Sequence, residues 1–189
     1  MPYKYDIKEL QHQVALYEDK EAYEKLFHAL FPSLQNFAYS IIKSRMIAEE
    51  IVSDAFITIW EKRTSLLEIE NLKLYLFVSV RNAAVRKLQQ EKKQKVKVSL
   101  DDFEVEFISD YSTPEELLQS SEVEKIIQNA VRELPPRCKL IFKLAKEDRL
   151  KYKEISSILN ISIKTIDAQL GIALKKIGSA LSLKIHSKK

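Results

Sequence analysis

The sequence predicts an all-α protein made of two small helical domains joined by an acidic linker, the second built around a helix-turn-helix. Three observations predict it. Glycine is nearly absent: only Gly171 and Gly178 occur among 189 residues, where average usage of about 7% would give roughly 13. Tight hairpins and phosphate-cradling loops are hard to build from so little glycine. Apolar residues recur at helical spacing through most of the chain. The charges are also segregated, which divides the chain into parts. Arg81 to Lys97 holds seven basic residues against the single acid Glu91, Val98 to Glu124 holds nine acids and no Lys or Arg, and Arg137 to Lys184 holds eleven basic residues against four acids. Two basic blocks around an acidic joint suggest two polyanion-facing domains and a connection that attracts no polyanion.

Composition excludes several classes of protein. Charged residues make up 31% and hydrophobic residues 46%, the balance of a folded, soluble chain rather than a disordered one. The apolar runs are a few residues long, far from the ~20 that span a bilayer, and Met1 to Lys20 has no apolar stretch before a cleavage site. A cytoplasmic protein is expected. Cys138 is the only cysteine, so no intramolecular disulfide forms, and His12, His28 and His186 lie too far apart for the usual zinc spacings. With no glycine loop for a nucleotide, no metal cluster and no nucleophile-base constellation, neither a cofactor nor a small-molecule substrate is expected, and the chain does not read as an enzyme.

Element by element, Asp19 to Phe31 repeats Ala22, Tyr23, Leu26, Phe27 and Leu30 at helical spacing, with Asp19 as N-cap and Pro32 as a break. A second helix is expected from about Ser33 to Lys43. A third, about Ile47 to Arg63, gathers Ile51, Val52, Ala55, Phe56, Ile59 and Trp60 on one apolar face and leaves Glu50, Asp54 and Glu61 as an acidic stripe in water. A fourth, about Leu72 to Lys93, buries Leu72, Leu76, Val80 and Ala83, while Tyr75, Ser79, Asn82 and Arg86 share a second face. These four make an N-terminal bundle over residues 1–95. Residues 96–112 alternate briefly at Val96, Val98 and Leu100 and then mix acids with Phe103, Val105, Phe107 and Ile108, which reads as a linker.

The second domain, 113–189, opens with Thr113, Pro114 and Glu116 placed as N-cap, first helical residue and capping-box partner. Its first helix ends near Glu133, because Leu134, Pro135 and Pro136 cannot continue it, and another runs from Pro136 to about Glu147. Then come a short helix, Tyr152 to Asn160, and a long one, Ile163 to about Leu183. Ile155, Ile158 and Leu159 face inward, Asn160 tolerates the left-handed turn, and Ser162 caps the second helix, whose core side is Ile166, Leu170, Ala173, Leu174 and Ile177. The N-terminal residues of a recognition helix reach base edges, so Lys164, Asp167 and Ala168 are its candidates. These features alone also fit a one-component helix-turn-helix regulator or a helical adaptor protein.

Four segments, in order and spacing, resemble one family: Ala48-Glu-Glu-Ile-Val-Ser-Asp-Ala-Phe56 running to Trp60, Asn71-Leu-Lys-Leu-Tyr-Leu-Phe-Val-Ser-Val-Arg-Asn82, Leu134-Pro-Pro-Arg137, and Tyr152-Lys-Glu-Ile155 through Ser162-Ile-Lys-Thr-Ile166. From about Lys20 to Ile185 the chain resembles the extracytoplasmic-function (ECF) subgroup of sigma-70 RNA polymerase sigma factors. The Asn71 run, the Thr113-Pro114-Glu115 start and Leu134 to Cys138 are most similar to the ferric-citrate-type sigma factors of Bacteroidetes. The resemblance implies a factor that binds core RNA polymerase, directs it to promoters and helps melt the DNA. Its expected partners are core RNA polymerase, promoter DNA and a membrane-associated anti-sigma factor.

By the same resemblance, residues 1–95 correspond to sigma region 2 and residues 113–189 to region 4. Glu50, Asp54, Phe56, Trp60 and Glu61 are assigned to docking on a coiled coil of the largest polymerase subunit, although Phe56 and Trp60 read mainly as core. Tyr75, Phe77, Ser79, Arg81, Asn82, Arg86 and Lys87 are assigned to the minus-10 element. There Asn82 helps read an unstacked base, Tyr75 and Phe77 stack or wedge, and Arg81, Arg86, Lys87, Lys92 and Lys93 neutralise phosphates. Ser162, Ile163, Lys164, Thr165, Asp167, Ala168 and Gln169 are assigned to the minus-35 element. Asn160 stands where glycine is frequent in the family, and Ile163, Ala168 and Gly171 where longer polar side chains often sit, so direct base contacts are few and groove shape gains weight.

Overall fold

The computed structural model describes residues 6–91 and 122–187, and the chain divides into two compact units, Met1–Val98 and Ser99–Lys189. All regular structure among the described residues is helical. The acidic linker and the expected capping box at Thr113 to Glu116 lie outside the described residues, as do Lys92 and Lys93.

The first unit holds α1 (Ile7–Tyr17), α2 (Lys20–Ile42), α3 (Arg45–Glu61), a short 3-10 segment (Arg63–Glu68) and α4 (Leu72–Glu91). Helix α2 is central and packs on α1, α3 and α4. Asp19 caps it as expected, accepting from the Glu21 and Ala22 N–H groups at 2.9 and 3.0 Å. Pro32 does not break it. A proline inside a helix costs about 3 kcal/mol, but Leu26, Leu30, Leu34, Phe37, Ala38 and Ile41 form one buried stripe running past it. Each large apolar side chain buried there contributes about 2 kcal/mol, so the continuous stripe outweighs the missing hydrogen bond. The two expected helices are therefore one.

Helix α1 was not anticipated from the sequence. Asp6 caps it, accepting from the Lys8 N–H at 2.9 Å, and Leu10, Val14 and Ala15 bury its inner side. Gln11, 4% exposed, is buried among them, and its Nε2 donates to Leu66 O at 2.5 Å and Ile69 O at 2.7 Å. One amide thus ties the passage from α3 to α4 onto α1. Truncating Gln11 to alanine strips both carbonyls of a donor, so Gln11→Ala is expected to lower unfolding stability in urea by about 2 kcal/mol. A loss below about 0.5 kcal/mol would show that solvent replaces the amide.

The second unit holds α5 (Glu122–Arg132), α6 (Pro136–Lys146), α7 (Tyr152–Leu159) and α8 (Ile163–Ser187), with α8 packed on the other three. Pro136 opens α6 where its missing N–H costs nothing. Ala130, Val131, Leu134, Cys138, Ala173 and Ile177 form one buried cluster, with Ile127, Phe142, Ala180 and Leu181 packed against it. Leu174, expected in the core, is 54% exposed. Ile166, Leu170, Ala173 and Ile177 share an arc of about 60° around the helix, whereas Leu174 falls about 80° from Ile166 and about 100° from Ala173 and leaves the stripe.

Candidate nucleic-acid and polymerase interfaces

On α4, Leu72, Leu76, Phe77, Val80 and Ala84 turn into the unit, with Ala84 in the place expected of Ala83, which is half-buried. The expected second face is present: Tyr75, Asn82 and Arg86 are exposed and Ser79 is half-buried. Phe77 does not share it. Its ring is fully buried, with its centroid 5.2 Å from that of Phe37, so the expectation that it wedges against a base is corrected. Two residues along a helix correspond to a turn of about 200°, which sends Phe77 to the side opposite Tyr75.

The charged residues of α4 are engaged locally. Arg81 Nη1 donates to Asn82 Oδ1 at 3.2 Å, and Arg86 Nε donates to Asn82 O at 3.3 Å. Lys87 Nζ lies 3.5 Å from Glu50 Oε1, a link from α4 to the acidic stripe of α3. An ion pair this exposed contributes well under 1 kcal/mol. It orients Lys87 rather than stabilising the fold.

On α3, Glu50, Asp54 and Glu61 are exposed, as the stripe requires. Phe56 is 1% exposed and Trp60 half-buried. Tyr23 sits between them, its ring 4.9 Å from Trp60 and its hydroxyl donating to Phe56 O at 2.9 Å. Burial pushes the Tyr23 hydroxyl pKa up. Arg63 lies 5.3 Å over the Trp60 ring and pairs with Glu18 in the turn between α1 and α2. Phe56 is therefore core and reaches no partner, which removes it from the docking set, while Trp60 keeps one partly open side.

The second unit presents a helix-turn-helix. Asn160 adopts φ 53° and ψ 48°, the left-handed conformation expected of it. Ser156 Oγ donates to Ile161 O at 2.6 Å, and Ser162 Oγ accepts from the Thr165 N–H at 3.0 Å, closing the first turn of α8. Ser162, Ile163, Lys164, Asp167 and Ala168 are exposed, and Thr165 and Gln169 half-buried. Lys164, Ala168, Gly171 and Lys175 fall on the outer side, mixing two cations with two residues small enough to allow close approach. Gln169 O accepts from the Cys138 thiol at 3.1 Å, which fixes α8 on α6. Burial pushes the Cys138 pKa up, and the Ala173 N–H and the Lys176 charge oppose it less strongly. The thiol stays protonated and structural.

Two family models match the chain in sequence order. Sigma-70 region 2 matches residues 26–94, which takes in most of α2 and all of α3 and α4, and sigma-70 region 4 matches residues 124–177, from α5 into α8. Together they take up most of the chain. It belongs to the sigma-70 family. As a sigma factor it directs transcription by RNA polymerase from promoter DNA. Helix α1 precedes the matched region 2.

Solved structures of similar fold include CnrH, in complex with the cytosolic domain of CnrY, with a TM-score of 0.51 and 16% identity over 94% of this chain and 99% of that one. Another is the sigma factor RpoE in complex with the anti-sigma factor NepR from Bartonella quintana, with a TM-score of 0.51 and 22% identity over 86% of this chain and 98% of that one. Both likenesses are of fold. No curated protein matches this sigma factor in sequence.

Sequence reasoning passed over Met46 and Ile57. They are 76% and 53% exposed on the side of α3 that carries Glu50, Asp54 and Glu61. Positions 46, 50, 54, 57 and 61 follow one helical row, so the signal was two apolar residues out of step with the core stripe. The open side of α3 is thus mixed acidic and apolar, suited to a surface that offers cations beside apolar groups. Among the described residues, no group of His, Cys, Asp or Glu is arranged to hold a metal ion, and no helix is long and apolar enough to cross a membrane.

Proposed function

We propose that this sigma factor belongs to the ECF group, most like the ferric-citrate type, and works in the cytoplasm by binding rather than catalysis. The open side of α3 docks on core polymerase through Asp54, Glu61 and the flanking apolar residues, with Trp60 at its edge. The face of α4 that carries Tyr75, Ser79, Asn82 and Arg86 meets the minus-10 element, and the start of α8 meets the minus-35 element through Lys164, Thr165 and Asp167. The observation that carries this reading is an exposed amide, Asn82, standing among cations on a helix whose other side is fully packed. An amide offers a base both a donor and an acceptor, and the cations supply phosphate attraction without sequence choice. CnrH and RpoE were solved with protein partners, which supports a membrane-associated anti-sigma factor as the inhibitor of this chain.

Pull-down with core polymerase followed by run-off transcription tests the reading. Capture of the chain by core polymerase and promoter-dependent transcripts are expected, with only weak duplex binding by the free protein. Tight, specific duplex binding without polymerase favours a one-component regulator instead, and absence of salt-dependent DNA affinity in any form favours an adaptor.

Lys164 is exposed and begins the recognition helix. Lys164→Ala is expected to lower transcription from a promoter with an intact minus-35 element about tenfold, the scale of one lost base or phosphate contact. Unchanged output, with the helical circular dichroism intact, would move recognition elsewhere on the second unit.

A further inference from the structure

The passage from α3 to α4 has little packing of its own. Of residues 62–70, Leu66 alone is buried, while Thr64, Ser65, Leu67, Glu68 and Glu70 are exposed. Its backbone is tied instead from α1. Gln11 Nε2 donates to Leu66 O and Ile69 O at 2.5 and 2.7 Å, and the Ile69 N–H closes the turn onto the same Leu66 carbonyl at 3.0 Å. An apolar side chain would fill the Gln11 position without the cost of burying an amide, so what the amide adds is geometry: a satisfied buried polar group specifies one arrangement of its partners. Two residues after Ile69, Asn71 opens α4. Its Oδ1 accepts from the Leu74 N–H at 3.0 Å and its O accepts from the Tyr75 N–H at 3.0 Å. Tyr75, 39% exposed, therefore leaves α4 from the first turn, directly behind the carbonyls that Gln11 holds.

A first helical turn has few bonds within the helix and depends on what precedes it. Leu72 anchors that turn of α4 from inside, whereas Leu76, Phe77, Val80 and Ala84 anchor the turns that follow. Ser79, Asn82 and Arg86 are thus fixed by packing, and Tyr75 is the residue of this face whose direction the passage sets. We propose that Gln11 is a positioning residue for promoter opening, holding the Leu66 and Ile69 carbonyls on α1 so that the Tyr75 ring leaves α4 in the direction that stacks on an unpaired base. The inference rests on the proposed reading that this face of α4 meets the minus-10 element. It gives α1, which lies ahead of the part matched by region 2, a role in initiation without contact to DNA or polymerase. Stacking depends on ring direction, so a small turn of the ring forfeits it while phosphate contacts from α4 persist.

The test is a double-mutant cycle on holoenzyme assembled from the full chain and core polymerase, read by permanganate reactivity of a duplex promoter. Tyr75→Ala is expected to lower opening about tenfold, the scale of one lost base stack. Gln11→Met keeps the length and packing of the side chain and removes both donors. It is expected to lower opening about fivefold by itself and less than about twofold on top of Tyr75→Ala, because no ring is left to misdirect. Every variant is assayed well below its unfolding midpoint, so a loss of stability alone leaves the chain folded and the opening unchanged. If Tyr75→Ala slows opening but Gln11→Met matches wild type, or costs the same with and without the ring, the positioning role is overturned and the reading of α4 stands. If Tyr75→Ala has no effect, the reading of Tyr75 falls and the proposal with it. Should Gln11→Met not fold at the assay temperature, Gln11→Asn, an amide one methylene too short to reach both carbonyls, takes its place in the cycle with the same expected and overturning results.

Discussion

Replacing Asp54 and Glu61 together by lysine is expected to weaken binding of the sigma factor to core polymerase about a hundredfold, and run-off transcription at limiting sigma factor should fall in proportion. Both carboxylates are exposed on the open side of α3. Reversing them turns two attractions into two repulsions, and close interfacial charge pairs are each worth about 1.5 kcal/mol or more. The fold should not suffer, because exposed charge changes usually stay within about 0.5 kcal/mol. Glu50 is left alone for a physical reason. Its carboxylate faces Lys87 of α4 at 3.5 Å, so Glu50→Lys would set two ammonium groups against each other and disturb the neighbouring helix α4, to which the proposed function gives the minus-10 contacts. A loss of affinity would then have two explanations. Competition with wild-type protein for core enzyme, repeated at rising salt, is the measurement. The variant should bind weakly throughout and show a shallower salt dependence, since screening removes only attractions that exist. A double variant that folds and competes like wild type would place the docking surface on another helix.

How far the sequence foretold this molecule depended on whether a feature was local. Asp19, Asn160 and Ser162 were legible because a cap or a left-handed turn is settled by residues two or three positions away. Pro32 was misread because its local cost is visible in sequence, whereas the stripe from Leu26 to Ile41 that outweighs it acts only once the unit is packed. Helix α1 was missed for the opposite reason, since Leu10 and Val14 make a sparse stripe in eleven residues and short helices gain their stability from tertiary contacts. Phe77 was misassigned although periodicity could have placed it: a face defined by positions 75, 79, 82 and 86 excludes 77. Other features had no local trace. Gln11 reaches carbonyls 55 and 58 residues away, and Glu50 meets a lysine 37 positions later. The same holds for the Arg81 contact to Asn82, because neighbours in a helix point apart and only the length of the arginine closes the gap.

Asn82→Ala is the substitution that should separate promoter melting from promoter binding. Asn82 is exposed and far from the open side of α3 in sequence and in role, so core binding and minus-35 occupancy should stay near wild type. Open-complex formation on duplex templates should fall about tenfold to a hundredfold, because a contact made only to an unpaired base offsets part of the few kcal/mol that unpairing costs. The loss should be selective in two ways. Discrimination at one minus-10 position should relax, while the salt dependence contributed by the cations of α4 persists, since phosphate contacts carry no sequence information. A template already melted through the minus-10 element should recover much of the activity, because the variant no longer has to drive unpairing. Permanganate footprints of duplex and pre-melted templates, run beside wild type, report both effects in one experiment. Equal melting and equal base preference would return Asn82 to an ordinary solvated residue. Loss on both templates alike would instead mean that the substitution disturbs α4 itself, which the unfolding midpoint of the variant would register independently.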